Sequence, residues 1–274
     1  MSKIIKIYKW NPWTGCRKYS EGCKLCSSSS FYPNYYTDIT LSLCNFDLPL
    51  QRNKQQEYYI PLNSYVAVEF NSDFFLPDMD FYRPYLWNII RARPDLKFRI
   101  VTKRIDRVKD HLPIDWGDGW DHVYLDCTAE NQKQADYRLP IYFTLPLKHY
   151  NILTEPLIED INLESIFKQY HSKIETIFVE GEFCLPPHNL EDCRPCNYKW
   201  VKHIADQCKW YNINFSFDLT GTKWINELGE LILVPPYSDG MEQLAKATNL
   251  TTGRIFGLKH NDSYELLEVN KEER

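Results

Sequence analysis

Three cysteines near the start of the chain carry the most specific chemistry in the sequence. Cys16, Cys23 and Cys26 are spaced C-x6-C-x2-C, following Trp10-Asn11-Pro12-Trp13-Thr14-Gly15. Two thiolates three residues apart can chelate one centre, and a third from a short loop completes three corners. Three sulfurs suit a four-iron cluster that leaves one iron open to a non-protein ligand. Tetrahedral zinc normally takes a fourth protein ligand, and no histidine lies within this segment. A zinc knot with a distant ligand and plain buried thiols are the alternatives. Gly15 and Gly22 each precede a cysteine. Glycine there permits a tight turn and lets backbone amides approach sulfur, which tunes a cluster's potential.

A second group, Cys184, Cys193 and Cys196, is spaced C-x8-C-x2-C, with Cys208 further on and His188 and His203 nearby. Four thiolates would form a closed second site for zinc or an auxiliary iron–sulfur cluster. Cys208 also fits the apolar face of a helix with Trp200, Val201 and Ile204, and small buried thiols are common in cores.

These groups must be positioned by the elements around them. Apolar runs of β type recur along the chain, and each ends in polar residues. Val66–Phe70 leads to Asn71-Ser72-Asp73, Phe98–Val101 to Thr102-Lys103-Arg104, and Val123–Leu125 to Asp126 through Asn131. Tyr150–Leu153 leads to Thr154-Glu155, Thr176–Val179 to Glu180-Gly181-Glu182, and Asn214–Phe217 to Asp218. A helix pattern with Met79, Tyr82, Leu86, Ile89 and Ile90 on one face follows the first of these runs. With a first strand at Ile4–Lys9, seven strand–helix units emerge, and such alternation implies parallel pairing. The expected fold is α/β, a parallel (β/α) barrel of TIM type, complete or partial. Residues 1–226 would form the barrel and 227–274 a small C-terminal extension packed on it. In that tail Leu231–Val234 reads as a strand, Met241–Leu250 as a helix and Ile255–Val269 as a β-rich cap. Functional groups of such barrels gather at the C-terminal strand ends, where these polar residues fall. The competing expectation is structural, with Glu130 pairing Arg138 and Glu155 pairing Arg104. The aromatic run Phe31–Tyr36 could stack on bases, but reads better as a packed segment after the cysteines.

Composition narrows the classes. A 274-residue chain with 43% hydrophobic and 15% aromatic residues can bury a large core and is no disordered tail. A net charge of −5 argues against a purely electrostatic nucleic-acid binder, though a local basic groove is compatible with it. No apolar run reaches the ~18 residues of a membrane helix, and the N-terminal residues lack the apolar core of a signal peptide. The expectation is a cytoplasmic protein with no membrane partner, whose nine cysteines are thiols or metal ligands. No phosphate-binding glycine loop or nucleophile elbow is present.

The run Asn11-Pro12-Trp13-Thr14-Gly15-Cys16, then Glu21-Gly22-Cys23 and Cys26, resembles the opening of a phage-derived family of unknown function. That family is named after phage gene products 37 and 68 and is classed with the radical SAM barrels. The likeness continues through Thr102-Lys103-Arg104, Ala129-Glu130-Asn131-Gln132 with Ala135 and Arg138, and Thr154-Glu155-Pro156-Leu157. It ends with Gly181-Glu182, Arg194-Pro195 and Asp206-Gln207-Cys208. The chain departs from the pattern at Ser27, where an aromatic is usual, and at Ile105, where proline is usual. It also departs at Glu180, in place of a paired glycine, and in lacking a lysine after the last strand.

The resemblance implies a barrel of radical-SAM type. Cys16, Cys23 and Cys26 would hold a [4Fe-4S] cluster whose open iron chelates S-adenosylmethionine (SAM). An electron donor such as flavodoxin or ferredoxin would reduce it. Cleavage of SAM to a 5′-deoxyadenosyl radical would act on an unknown substrate, with nucleic-acid modification or repair among the candidates. Asn71, Asp73, Glu130, Asn131, Glu155, Gly181 and Glu182 would bind the cofactor. Glu130, Glu155, Lys103 and Arg104 would act in catalysis, the glutamates as charged acceptors and the bases as holders of a carboxylate or phosphate. The alternative is a non-catalytic, metal-stabilised barrel that binds nucleic acid or a partner protein.

Overall fold

The structure, a computed structural model, describes residues 4–69, 71–235, 239–252 and 263–267. Its centre is one parallel sheet of eight strands. These are β1 (Ile4–Trp10), β2 (Tyr65–Val68), β3 (Lys97–Thr102), β4 (Val123–Thr128), β5 (Tyr150–Thr154), β6 (Ile174–Glu180), β7 (Asn214–Leu219) and β8 (Ser263–Leu267). The order across the sheet is β7-β6-β5-β4-β3-β2-β1-β8, and every neighbouring pair is parallel. From β1 to β7 each strand pairs with the next one in sequence, as stacked βα units do. The sheet curls into a half-barrel; among the described residues no ladder joins β7 to β8.

Strands buried on both faces need apolar runs rather than clean alternation, and β4 and β5 are buried at every position. In β3 the pattern alternates, with Phe98 and Ile100 buried outward while Arg99 and Val101 line the inner cavity. Helices cover the outer face: α1 (Arg83–Ala92), α2 (Ile105–Val108), α3 (Gln132–Tyr142), α4 (Glu164–Tyr170), α5 (Tyr198–Trp210) and α6 (Gly240–Ala247). Leu86, Trp87, Ile89 and Ile90 of α1 and Val201, Ile204 and Cys208 of α5 face the core. The connection from β1 to β2 contains no α-helix, and it carries the first cysteines.

The seven expected strands all lie in the sheet, most of them longer than the apolar runs that signal them. The tail holds the expected strand, Leu231–Leu233, and the expected helix, α6, but not in one packed unit. Leu231–Leu233 pairs antiparallel with Lys223–Ile225, which pairs parallel with Cys196–Asn197, so it joins a separate three-stranded sheet. Much of the cap expected at Ile255–Val269 lies outside the described residues. Its described part is β8, which pairs with β1, so the division at residue 226 does not follow the sheet. A short run such as Ser263–Leu267 does not declare its partner, because edge pairing depends on a free neighbour rather than on pattern. At the other edge the backbone N–H of Thr252 donates to Phe215 O at 2.8 Å. The N–H of Phe217 donates to Thr251 Oγ1 at 3.0 Å, so β7 is partly covered.

Asn131 opens α3. Its backbone is extended and its Oδ1 accepts from the Gln134 N–H at 2.9 Å, satisfying one of the helix's unpaired donors. It does not line the cavity below, where it was expected to bind cofactor. Asn131→Ala should cost about 1 kcal/mol in urea denaturation, Asn131→Asp should restore it, and neither should alter ligand binding.

Candidate functional site

After β1 the chain turns back on itself, with Trp13–Thr14 antiparallel to Thr40–Leu41. Gly15 sits at φ +92°, and a Cβ there would lie 2.2 Å from Asp38 O, so only glycine makes this turn. The Cys16 N–H then donates to Tyr35 O at 2.9 Å. The rim holds this loop from below. The Trp13 N–H donates to Glu69 Oε1 at 3.1 Å, its indole to Ser72 Oγ at 2.9 Å, and Ser72 Oγ to Gly15 O at 2.6 Å. Cys23 closes a short 3-10 turn, Glu21–Cys23, and Cys26 precedes another, Ser27–Ser30. The hydroxyl of Tyr36 donates to Cys23 O at 3.1 Å and that of Tyr35 to Asn71 O at 2.5 Å. The aromatic run is therefore packing for the cysteine loop.

Cys16, Cys23 and Cys26 line a cavity of about 470 Å³ inside the half-barrel. Asn71, Asp73, Lys103, Arg104, Glu155, Gly181 and Glu182 line the same cavity, so most of the residues expected from strand ends share one space with the cysteines. Glu130 and Asn131 do not. Glu130 lies behind the wall, fully buried, and pairs with the fully buried Arg138 at 2.7 Å. It also accepts from the Ser20 hydroxyl and from the Gly22 N–H at 3.3 Å. A Cβ on Gly22 would come 3.0 Å from that carboxyl group. Burial raises the Glu130 pKa, but Lys103, Arg138 and these hydrogen bonds outweigh it and hold the carboxyl at about 2.

Arg104 pairs with Asp73 at 2.8 Å, not with Glu155. Asp73 is held further by the Thr102 hydroxyl at 2.8 Å and the Lys103 N–H at 3.1 Å. Arg104 also donates to Arg17 O at 2.6 Å, and its Nη1 lies 3.9 Å from Cys16 Sγ. Burial, with Asp73 adding, pushes the Cys16 thiol up to about 12 while Arg104 pulls the other way. Among the described residues the three sulfurs do not all lie within 4.8 Å of one another. A single tetrahedral zinc, with bonds near 2.3 Å, would draw its sulfurs to about 4 Å apart. A cubane carries each sulfur on a different iron and so accommodates the wider spread.

The second cysteine group does not form the expected four-thiolate site. Cys184 and Cys193 are joined as a disulfide, which also corrects the expectation that every cysteine is a thiol or a metal ligand. Cys196 and Cys208 are free and buried in the main core, away from the Leu25–Cys184–Cys193 cluster. Spacing could not separate them, because Cys196 belongs to a short strand and Cys208 to the inner face of α5. Glu182, Cys184 and Cys193 have ligand atoms within 4.8 Å of one another, a grouping that could take a metal only with the disulfide reduced to thiolates. Glu182 is engaged by Arg194, through its N–H at 2.9 Å and its guanidinium at 3.0 Å.

Five charged residues of the cavity wall were not picked out from sequence: Arg17, Glu69, Arg99, Glu180 and Asp218. The available signal was a charge inside or closing an apolar strand, as in Phe98-Arg99-Ile100 and Phe217-Asp218. Arg99 pairs with the fully buried Asp126, and Lys103 Nζ donates to Glu155 O at 3.2 Å. Burial raises the Glu155 carboxyl to about 7; Arg99 and Lys103 oppose the rise and Asp218 adds to it. Glu180 and Asp218 are likewise raised, chiefly by burial. Glu69 is raised by burial against the Trp13 hydrogen bond, and its backbone sits at φ +51°.

The chain belongs to the family described as "Protein of unknown function (DUF5131)", whose model matches residues 5–264. No curated protein and no solved structure matches it. The family description assigns no chemistry, so function must be argued from the site. No helix of the described residues is long and apolar enough to cross a membrane.

Two titrations with opposite signs should be measurable. Glu155 binds its proton more tightly folded than unfolded, so its contribution to stability is full below about pH 4.5 and is lost as pH rises through about 7. Glu130 behaves oppositely; its contribution is full above about pH 4.5 and is lost as pH falls toward 2. Urea midpoints across pH should show both, and Glu155→Gln should reduce the neutral-side slope, to which Glu180 and Asp218 also contribute, while leaving the acid-side slope in place. Glu130→Gln strands the buried Arg138 and should cost roughly 3–5 kcal/mol.

Proposed function

We propose that this chain is an iron–sulfur enzyme of radical-SAM type acting on a substrate held inside the half-barrel. The observation that carries the reading is the convergence of Cys16, Cys23 and Cys26 with the polar strand ends on one cavity. The donor set suits a cubane: three thiolates from one loop lining one cavity, each able to take a different iron and leave the fourth open. Cys16, Cys23 and Cys26 would hold the cluster, which with SAM would supply one-electron reductive chemistry that belongs to the cofactor rather than to the protein.

The chain's own residues bind, orient and shield. Arg104, whose Nη1 lies 3.9 Å from Cys16 Sγ, opposes part of the rise that burial and Asp73 impose on that thiol and so would tune a bound cluster. Lys103 offers an ammonium at the cavity wall suited to a carboxylate. Glu155, raised to about 7, can hold or release a proton near neutral pH, and as a carboxylate accepts hydrogen bonds from hydroxyl or ammonium groups. Leu25, Tyr35 and Tyr36 line the cavity and keep water from the cysteines. Exclusion of water matters because a reactive intermediate attacks whatever it meets.

Purified without oxygen and reconstituted with iron and sulfide, the protein should be brown, with about four irons at this site. Cys16→Ala, Cys23→Ala or Cys26→Ala should bleach it, and dithionite should yield 5′-deoxyadenosine from SAM in the wild type alone. A colourless protein with full zinc occupancy would reject this reading in favour of a metal-stabilised binding barrel.

A further inference from the structure

The charges around the cavity do not balance. Asp73 is neutralised by Arg104, Glu182 by Arg194, Arg99 by Asp126 and Arg17 by Asp78. On the wall that leaves the carboxyl groups of Glu69, Glu155, Glu180 and Asp218, none of them in an ion pair among the described residues, against the single ammonium of Lys103. Asp218 accepts from the Ser216 hydroxyl. Among the described residues no hydrogen bond reaches the carboxyl group of Glu155 or Glu180. Glu69 is 3% exposed and uses one oxygen for the Trp13 N–H, while its Oε2 has no partner. An acceptor as enclosed as Glu69 is costly unless something donates to it, and the half-buried Glu155, Glu180 and Asp218 open onto the same cavity.

The three carboxyls of Glu155, Glu180 and Asp218 close β5, β6 and β7, at the end of the sheet away from β1 and its cysteine loop. Among the described residues they do not converge into a group with ligand atoms within 4.8 Å. A divalent cation needs such convergence. Spaced acceptors suit a ligand with several N–H donors and positive charge, which can bridge them. Apolar Leu153, Pro156, Phe183 and Leu219 line the same cavity and would carry an alkyl stem.

We infer that Glu155, Glu180 and Asp218 form a subsite for a protonated alkylamine of the substrate, separate from any SAM site. The inference rests on the cavity being the working site proposed above and narrows its substrate to an amine-bearing compound. Unpaired carboxyls kept for a ligand burden the empty protein, so removing them should stabilise it; carboxyls kept for the fold should do the reverse.

The test uses full-length protein with its cluster, butane-1,4-diamine as probe and butan-1-ol as the neutral control. Calorimetry and melting should show the diamine binding and raising Tm, with no response to the alcohol. Glu180→Gln/Asp218→Asn should bind the diamine at least about tenfold more weakly, a difference of ~1.4 kcal/mol. Without ligand it should melt at or above the wild-type temperature. No diamine binding by the wild type, equal binding by the variant, or a lower melting temperature of the ligand-free variant would each overturn the subsite. SAM titrated in parallel separates the two claims: loss of SAM binding with the diamine response intact counts against the radical-SAM reading and supports the amine subsite.

Discussion

A carboxylate and a guanidinium removed wholly from water must satisfy each other, and Glu130 and Arg138 do so at 2.7 Å with both side chains fully buried. Replacing such a pair by apolar residues is often neutral or stabilising, whereas removing one partner is severe. The pair here is not arranged for stability alone, since Arg138 Nε has no partner. What it gains is position. Glu130 takes the Ser20 hydroxyl and the Gly22 N–H, and so fastens the loop between Cys16 and Cys23 to the end of β4. Arg138 reaches back from α3 to Thr128 O at 2.9 Å, locking helix and strand together behind the same carboxylate.

A second clamp works one strand earlier. Arg104 joins Asp73 and donates to Arg17 O, which fixes the residue after Cys16. The Tyr19 ring lies against both clamps, 5.1 Å from the Arg104 guanidinium and 5.4 Å from that of Arg138. Cation–ring contacts at such distances are favourable when water is excluded. The half-barrel thereby divides its rim. After β2 to β4, Glu69, Asp73, Arg104 and Glu130 hold the cysteine loop, while Lys103 and, at the ends of β5 to β7, Glu155, Glu180 and Asp218 line the cavity. Glu130, Asp73 and Arg104 thus fix the cysteine loop, while Lys103 and Glu155 line the cavity beneath it.

That division was only half legible in the sequence. The strands were readable because parallel strands buried on both faces carry continuous apolar runs. The rule that polar strand ends share a rim correctly gathered Asn71, Asp73, Lys103, Arg104, Glu155, Gly181 and Glu182 around the cysteines. What each does on the rim was not readable, because ion-pair partners come from different elements at separations no local pattern encodes. Arg104 was matched to Glu155 and found Asp73, thirty-one residues away. Asn131 sits in a motif that looks like ligand chemistry and serves as a helix cap. Arg99 was passed over because a lone cation inside an apolar strand reads as noise until its partner Asp126, on the neighbouring strand, is seen.

The second cysteine group shows how two motifs can be coupled without sharing a metal. Gly181 and Gly221 let two chain segments cross with no room for side chains: a Cβ on Gly181 would lie 2.1 Å from Thr220 O, and one on Gly221 2.7 Å from Glu182 N. Beyond that crossing the chain runs irregularly over the cysteine loop. Ser29 Oγ meets His188 Nε2 at 3.0 Å, Ser30 Oγ donates to Leu185 O at 3.2 Å, and Arg194 donates to Glu21 O at 2.9 Å. Leu25, between Cys23 and Cys26, packs directly with Cys184 and Cys193. A segment with so little regular structure loses much entropy on ordering. The disulfide offsets part of that by closing a loop between cysteines nine positions apart, an effect of roughly 2–4 kcal/mol. The cover over the first three cysteines therefore owes its order to a covalent link between two others. The two cysteine groups act on one site, the first by lining it and the second by holding its cover.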